Sequence, residues 1–393
     1  MTSRADLFTG TYARGAAAAA VTGAAWVEAM ADAEVALARA CADTGLITAA
    51  AADAVRRAVE AGPLDVDAIA AQAGEHATPV IPLVRELRAR VGSEFAGAVH
   101  LGATSQDIVD TAAMLIARRA LEPILSDAHA AVAGAARLAR AHRSTPMAGR
   151  TLLQQALPTS FGLVAAGWLT ALSHAVAQLE RVRDTELAVQ IGGPVGNRSP
   201  QVAARVAATL GLAEPVLPWH TDRTRVVELA AALGGLSGAA AKVARDVTLL
   251  AQTEIGEIRE GAEGDVTRGG SSAMAHKRNP VAAVSVIACS RRVPGLVATL
   301  FGAMEQELQR AAGAWQSEWG TLTELLTLTG SASAWLADLL AHLEVDRDRM
   351  RANLALLADA GVEAAAHPEE QLAGAAELVD RALAGVPRSH DER

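Results

Sequence analysis

Apolar residues recur along most of this chain at three- and four-residue steps, and almost nowhere at the two-residue step of a strand. Leu236, Val243, Val247, Leu250 and Ile258 fall on one face of a helix predicted from about Arg223 to Glu260. Leu325, Leu328, Trp335, Leu339 and Leu343 make a second stripe. Ser105–His142 and Ala156–Thr185 read the same way, with Pro123 expected to kink or restart the first of them. The fold class is therefore all-α, a tall bundle of long helices. A helix of roughly 30 residues is about 45 Å long, more than one small domain spans, so part of each apolar stripe is expected to bury against other subunits.

Glycine and proline punctuate the helices at His142–Arg150, at Gly192–Gly196 and at Gly261–Gly270. The expected division is an N-terminal helical domain over 1–98, a central long-helix bundle over 99–343 and a short C-terminal helical domain over 344–393. In that last stretch Met350–Ala358 and a segment near Glu369–Leu383 have room for helices.

Charge and composition narrow the function. The chain has 393 residues, with 35 Lys and Arg against 44 Asp and Glu, a formal charge of −9, so nucleic acid is not generally attracted. Aromatic residues make up 3%, too few for stacking single strands. The first residues lack the basic-then-apolar order of a signal peptide, and charged residues interrupt the apolar runs, so neither secretion nor membrane spanning is expected. Cys41 and Cys289, far apart in sequence, suggest neither a disulfide framework nor a zinc site, and a cytoplasmic location fits.

One segment stands out. Lysine occurs only at Lys242 and Lys277, and asparagine only at Asn197, Asn279 and Asn353. Gly269–Pro280 holds one of each, and no acidic residue occurs from Val266 to Met304, where Arg268, Lys277, Arg278, Arg291 and Arg292 are all cationic. Flexible Gly269 and Gly270, the hydroxyls of Ser271 and Ser272 and the compact charge of Lys277 suit a carboxylate or phosphate. The same composition also describes a solvated linker, and no Gly-Lys-Ser/Thr triplet supports a Walker-type loop.

Read as a motif, Gly270-Ser271-Ser272-Ala273-Met274-Ala275-His276-Lys277-Arg278-Asn279 resembles the Gly-Ser-Ser-x-Met-Pro-x-Lys-x-Asn signature of the fumarase/aspartase/adenylosuccinate lyase superfamily. His100-Leu101-Gly102-Ala103-Thr104-Ser105-Gln106-Asp107 is similar to that superfamily's first region, and Gly149-Arg150-Thr151-Leu152-Leu153-Gln154-Gln155-Ala156-Leu157-Pro158 to its second. Leu7-Phe8, Ala13-Arg14-Gly15, Pro218-Trp219-His220-Thr221 and Gly313-Ala314-Trp315 with Glu318-Trp319 look most like its bacterial 3-carboxy-cis,cis-muconate cycloisomerase branch. Leu152 and Gln155 stand where adenylosuccinate lyases carry histidines. Ala275 replaces the signature proline, Leu308-Gln309-Arg310 replaces a commoner His-Glu-Arg, and the C-terminal region is short for the family.

The resemblance implies a cycloisomerase that lactonises a small-molecule polycarboxylate without metal or organic cofactor, in a homotetramer whose active sites are shared between subunits. It implies Ser271 as general acid and Lys277 as partner of the charge that develops on substrate. Ser272, Met274, Asn279, Thr104, Ser105, Thr151, Gln155 and His100 are the implied substrate contacts, with Arg14 and Arg310 as carboxylate clamps. Other readings of these residues are a turn formed by Ser271, a helix N-cap at Thr104 and structural roles for His100, His220 and His276. A superfamily lyase that releases fumarate from a substituted succinate or adenylosuccinate, and an inactive helical scaffold, are the competing functions.

Overall fold

The computed structural model describes residues 7–261, 269–271, 273–274 and 277–385. In chain order these form α1 (Thr9–Tyr12), α2 (Gly23–Asp43), α3 (Ala49–Glu60), α4 (Val66–His76), α5 (Val80–Val91) and α6 (Ser105–Ala141). The hairpin β1 (Pro146–Thr151) and β2 (Gln154–Ser160) follows, then α7 (Phe161–Thr185), α8 (Pro200–Leu210) and α9 (Thr224–Leu250). The chain ends with β3 (Ile258–Glu260), α10 (Val281–Gly302), α11 (Ala314–Ala341), β4 (Leu343–Val345), α12 (Arg347–Asp359), α13 (Glu363–Ala366) and α14 (Glu369–Ala384). Helix accounts for 68% of the chain and strand for 6%, so the all-α class holds.

Helices α6, α7, α9, α10 and α11 pack side by side as the central bundle, and α2 lies along α6 and α8. Ile116, Leu121 and Ile124 of α6, Leu169 and Leu172 of α7, Leu233 and Val243 of α9, Val286 of α10 and Leu325 and Leu336 of α11 all bury in one core. With 37 residues, α6 is about 55 Å long and sets the height of the molecule. Pro123 lies inside it without ending it; its ring removes one backbone donor, which the packing around the neighbouring, fully buried Leu121 and Ile124 tolerates. Alanine keeps the helices close, and three of them, α7, α9 and α10, are by length and composition alone apolar enough to cross a membrane. That was not expected from the sequence. Only 44%, 56% and 39% of their most apolar windows are buried inside the chain.

Two helix boundaries differ from expectation. The helix that starts after Arg223 stops at Leu250, and Gly256, at φ +63°, turns the chain into β3, which pairs antiparallel with β4. Ala156–Ser160 is strand, and the helix begins at Phe161, where the Ser160 hydroxyl accepts the Leu163 N–H. The strands β1 and β2 are joined by Leu152 and Leu153, both left-handed, at φ 51° and 66°. Beyond the bundle, α12 and α14 occupy the two places expected to be helical.

Candidate active site

The first region closes the N-terminal end of α6. Thr104 is its N-cap, and the Thr104 N–H donates to Asp107 Oδ2 at 3.1 Å. That carboxylate is fully buried and gathers four more donors. Gly193 N–H donates to Oδ2 at 2.8 Å, and Gly192 N–H, His220 Nε2 and Gln190 Nε2 reach Oδ1 at 2.9, 2.8 and 3.5 Å. Asp107 thus pins the Gly192–Gly196 loop and His220 to the helix end. A side chain at Gly192 would collide with the rings of Pro218 and His220, which is why glycine fits there.

One turn further along α6, Asp110 shares Arg223 with Glu318 of α11, at 2.8 and 2.5 Å, all three buried. Trp315 Nε1 and Gln106 Nε2 also donate to Asp110, at 2.9 and 3.0 Å. Burial pushes the Glu318 carboxyl above its ordinary range despite Arg223. Arg223 is itself desolvated, but its two carboxylates hold its pKa up and keep it charged. Arg310 reaches the same end of the bundle, donating to Gln106 Oε1 at 3.2 Å and to the Pro194 carbonyl at 2.6 Å. His100, at φ +63°, is bound by Glu34 through its ring Nδ1 at 2.6 Å and its backbone N–H at 3.0 Å. Ser105 opens α6 beside it.

The second region and the signature lie at the opposite end. Arg150 of β1 makes a two-pronged pair with buried Glu257 at 2.7 and 2.9 Å, next to β3 and past the far end of α9. Thr151 pairs with Gln154 across the hairpin, and Gln155 Nε2 donates to the Asn353 carbonyl at 3.4 Å. Glu260 accepts the Ala282 and Ala283 N–H groups at 3.0 and 2.8 Å, so the start of α10 sits there too.

Across the signature, Gly270 bridges Arg278, and the Asn279 N–H and Nδ2 both donate to the Gly269 carbonyl, at 2.8 and 3.2 Å. Gly269 is at φ +76°, and a Cβ there would run into the Asn279 carbonyl. Ser271 Oγ accepts the N–H groups of Ala273 and Met274 at 3.3 and 3.2 Å. Met274 and Lys277 are exposed, and Asn279 is half-buried with its amide closing the neck of the loop. Ser272, Ala275 and His276 lie outside the described residues.

The structure therefore assembles the implied site residues as two groups. His100, Thr104, Ser105 and Arg310 share one end, with His220; Thr151, Gln155, Ser271, Met274, Lys277 and Asn279 share the other. Helix α10, with 22 residues, runs from the second group toward the first and is about 33 Å long. Arg14 belongs to neither: its guanidinium lies over the Trp335 ring at 3.8 Å and pairs with Asp338 at 2.7 Å on the side of α11. Asp107, Asp110, Arg223, Glu257 and Glu318 carry the electrostatics of both ends, and none of them was among the site residues expected from sequence. Asp107 alone had a visible signal, three residues after a capping threonine. Among the described residues no group of three or more His, Cys, Asp or Glu side chains is arranged to hold a metal ion.

A family described as lyase matches residues 10–295. The chain is 46% identical to a 3-carboxy-cis,cis-muconate cycloisomerase of Bradyrhizobium diazoefficiens, over 83% of this chain and 74% of that one. It is 44% identical to a nitrosuccinate lyase of Streptomyces davaonensis, over 86% and 74%. Among solved structures, a 3-carboxy-cis,cis-muconate lactonizing enzyme from Pseudomonas putida superposes with a TM-score of 0.85 at 37% identity, covering 98% of this chain and 88% of that one. A fumarate lyase from Mesorhizobium superposes with a TM-score of 0.80 at 28% identity, over 93% and 97%. The helical bundle superposes on both solved structures over nearly its whole length, and the chain belongs to the lyase family.

Proposed function

We propose that the protein is a cycloisomerase that converts 3-carboxy-cis,cis-muconate to a carboxymuconolactone. The observation that carries this reading is the 46% identity to a cycloisomerase across 83% of the chain, joined to a backbone match covering 98% of it. In the reaction a substrate carboxylate oxygen bonds to an alkene carbon. The π electrons move toward a second carboxylate as an enediolate, and the carbon beside it takes a proton. The trianion thereby becomes a dianionic lactone, with one proton taken up.

Ser271 is the proposed acid. An alkoxide is left when it donates, and the two N–H groups already aimed at Oγ lower the cost of that charge. Lys277 adds a cation to the same loop, and Met274, Asn279, Thr151 and Gln155 line the same end of the bundle. Contacts from His100, Thr104, Ser105, Ser272 and Arg310 complete the proposed substrate shell; Arg14, already paired with Asp338, is left out of it. Incubation with 3-carboxy-cis,cis-muconate should bleach the diene absorbance, and an unchanged spectrum would remove the assignment. Ser271→Ala should cut kcat by about 100-fold or more; retained turnover would take serine out of the acid role.

A second reading, release of fumarate from a substituted succinate, is favoured by the 44% identity to nitrosuccinate lyase. Appearance of fumarate from nitrosuccinate, with the muconate untouched, would establish it instead.

The proposed working form is a homotetramer in the cytoplasm, where buried, unpaired Cys41 and Cys289 stay reduced. Support for assembly comes from α7, α9 and α10, apolar helices that the chain itself covers only in part. Light scattering during dilution should show activity lost as the tetramer dissociates; a fully active monomer would contradict it.

A further inference from the structure

Between α5 and the start of α6 lies a cleft in which two arginines, Arg85 and Arg88, have no part in the reaction described so far. Ile81, Val84, Arg85 and Arg88 fall at successive helical steps on one face of α5. Together with Val80, His100 and Ser105 they line a cavity of about 370 Å³, within the size range of small-molecule sites. Arg85 Nη1 donates to Gln72 Oε1 at 3.0 Å, and Arg88 Nη2 to the Val99 carbonyl at 3.2 Å. Both guanidiniums are thereby oriented by neutral acceptors, and among the described residues neither has a carboxylate within ion-pair distance. They are two uncompensated cations on the wall of a cavity.

His100 is equally fixed. Glu34, whose side chain is fully buried, binds both the backbone N–H and the ring Nδ1 of His100. His100 is thereby held in a left-handed conformation that a non-glycine residue adopts only when its surroundings impose it. With Nδ1 engaged, Nε2 is the ring nitrogen left for a ligand. Apolar Val80, Ile81 and Val84 line the same cleft as the arginines and the imidazole, a combination suited to a carbon chain that ends in a carboxylate.

We propose that this cleft is a carboxylate subsite, with Arg85 and Arg88 reading the third carboxyl group of a tricarboxylate and His100, on the same cleft, fixing its position. The inference rests on the cycloisomerase reading, since a third carboxylate is what sets 3-carboxymuconate apart from a simple succinate. Arg85 and Arg88 are then specificity residues: they contribute to binding in ground and transition states alike, and touch no bond that changes.

Calorimetric titration of the full-length protein with propane-1,2,3-tricarboxylate, succinate and inorganic phosphate tests the cleft without any turnover. In the Arg85→Gln/Arg88→Gln variant the tricarboxylate affinity should fall about tenfold or more, while succinate affinity stays within about twofold. Unchanged tricarboxylate affinity would overturn the proposal. So would an equal loss for succinate or phosphate, which would mark a general anion patch. With 3-carboxymuconate the variant should show a raised KM and a kcat close to that of the parent; a lowered kcat at unchanged KM would also overturn it. If the parent protein fails to consume 3-carboxymuconate at all, the functional reading falls, and the titrations still decide whether the cleft selects a third carboxylate.

Discussion

Asp107→Asn is the most exacting single test of how the first region is built. In the parent, Oδ2 accepts Thr104 and Gly193 N–H groups, while Oδ1 accepts Gly192 N–H and His220 Nε2. An amide keeps the shape and one acceptor but turns the other into a donor. With the amide nitrogen in the Oδ2 position, two backbone N–H groups face another donor in a fully buried site. Flipped, it faces Gly192, and His220 must change tautomer to accept. A buried backbone donor left unsatisfied costs about 1–3 kcal/mol, and the surviving bonds lose their charge assistance. The expected loss is therefore about 3 kcal/mol for the better rotamer and about 6 kcal/mol for the worse. Domains are typically stable by only about 5–15 kcal/mol, so the urea midpoint should move visibly and the Gly192–Gly196 loop should become protease-sensitive before the bundle does. Thr104→Ala is the control: it leaves Asp107 and its other partners in place and should cost about 1 kcal/mol. Equal midpoints for Asp107→Asn and the parent would refute the idea that this carboxylate organises the region.

Two further outcomes follow from local geometry. Leu152 and Leu153 occupy a two-residue turn with both φ values positive, for which Asn-Gly is suited and leucine is not; Leu152→Asn with Leu153→Gly should raise the thermal midpoint by relieving about 1–2 kcal/mol per residue, and an unchanged midpoint would show that the turn is unstrained. His142 is held below its ordinary 6.5, chiefly by burial and then by Arg347 and Arg137. A lowered folded-state pKa means that its contribution to stability is present above pH 6.5 and is lost as pH falls below that value and through the folded-state one. The difference between melting profiles of the parent and His142→Gln should accordingly open on acidification below pH 6.5; parallel profiles would exclude His142 as the source.

How much of this was legible beforehand depended on sequence distance. The signature could be read because its residues are rare in this chain, one of two lysines and one of three asparagines within a short acid-free stretch. The long helices could be read because 3.6-residue periodicity is local. The hairpin could not: its turn residues are leucines, and Ala156 and Leu157 read as the start of the helix although Pro158 and the capping Ser160 stand between them and α7. Nor did anything local mark Leu250 as the end of α9, where Gly256 acts only after an intervening turn. The Asp107–His220 bond spans 113 residues and the Arg223–Glu318 pair 95, so each partner looks in isolation like an ordinary buried or solvated polar residue. Arg14 shows the same dependence on distance: the resemblance implied a carboxylate clamp, and the carboxylate it meets within this chain, Asp338, lies 324 residues away.

The separation of the two ends has an electrostatic consequence. Lys277 is exposed, and at water's dielectric constant a charge at 4 Å is worth about 1 kcal/mol, against about 4 kcal/mol at the effective value of 20 found near protein surfaces. A cationic loop open to solvent therefore stabilises an enediolate weakly, however well its donors are aimed. The first-region end has the complementary character: Asp107, Asp110, Arg223, Glu318 and His220 are buried and mutually bonded, a stiff wall whose charges are already paired. The proposed tetramer would answer this if that wall from one subunit covered the signature loop of another, excluding water and making the loop's charge count. On that proposal the rigid half would supply the dry surface and the loop the proton and the cation, because about 33 Å of helix keeps the two from meeting within a single chain.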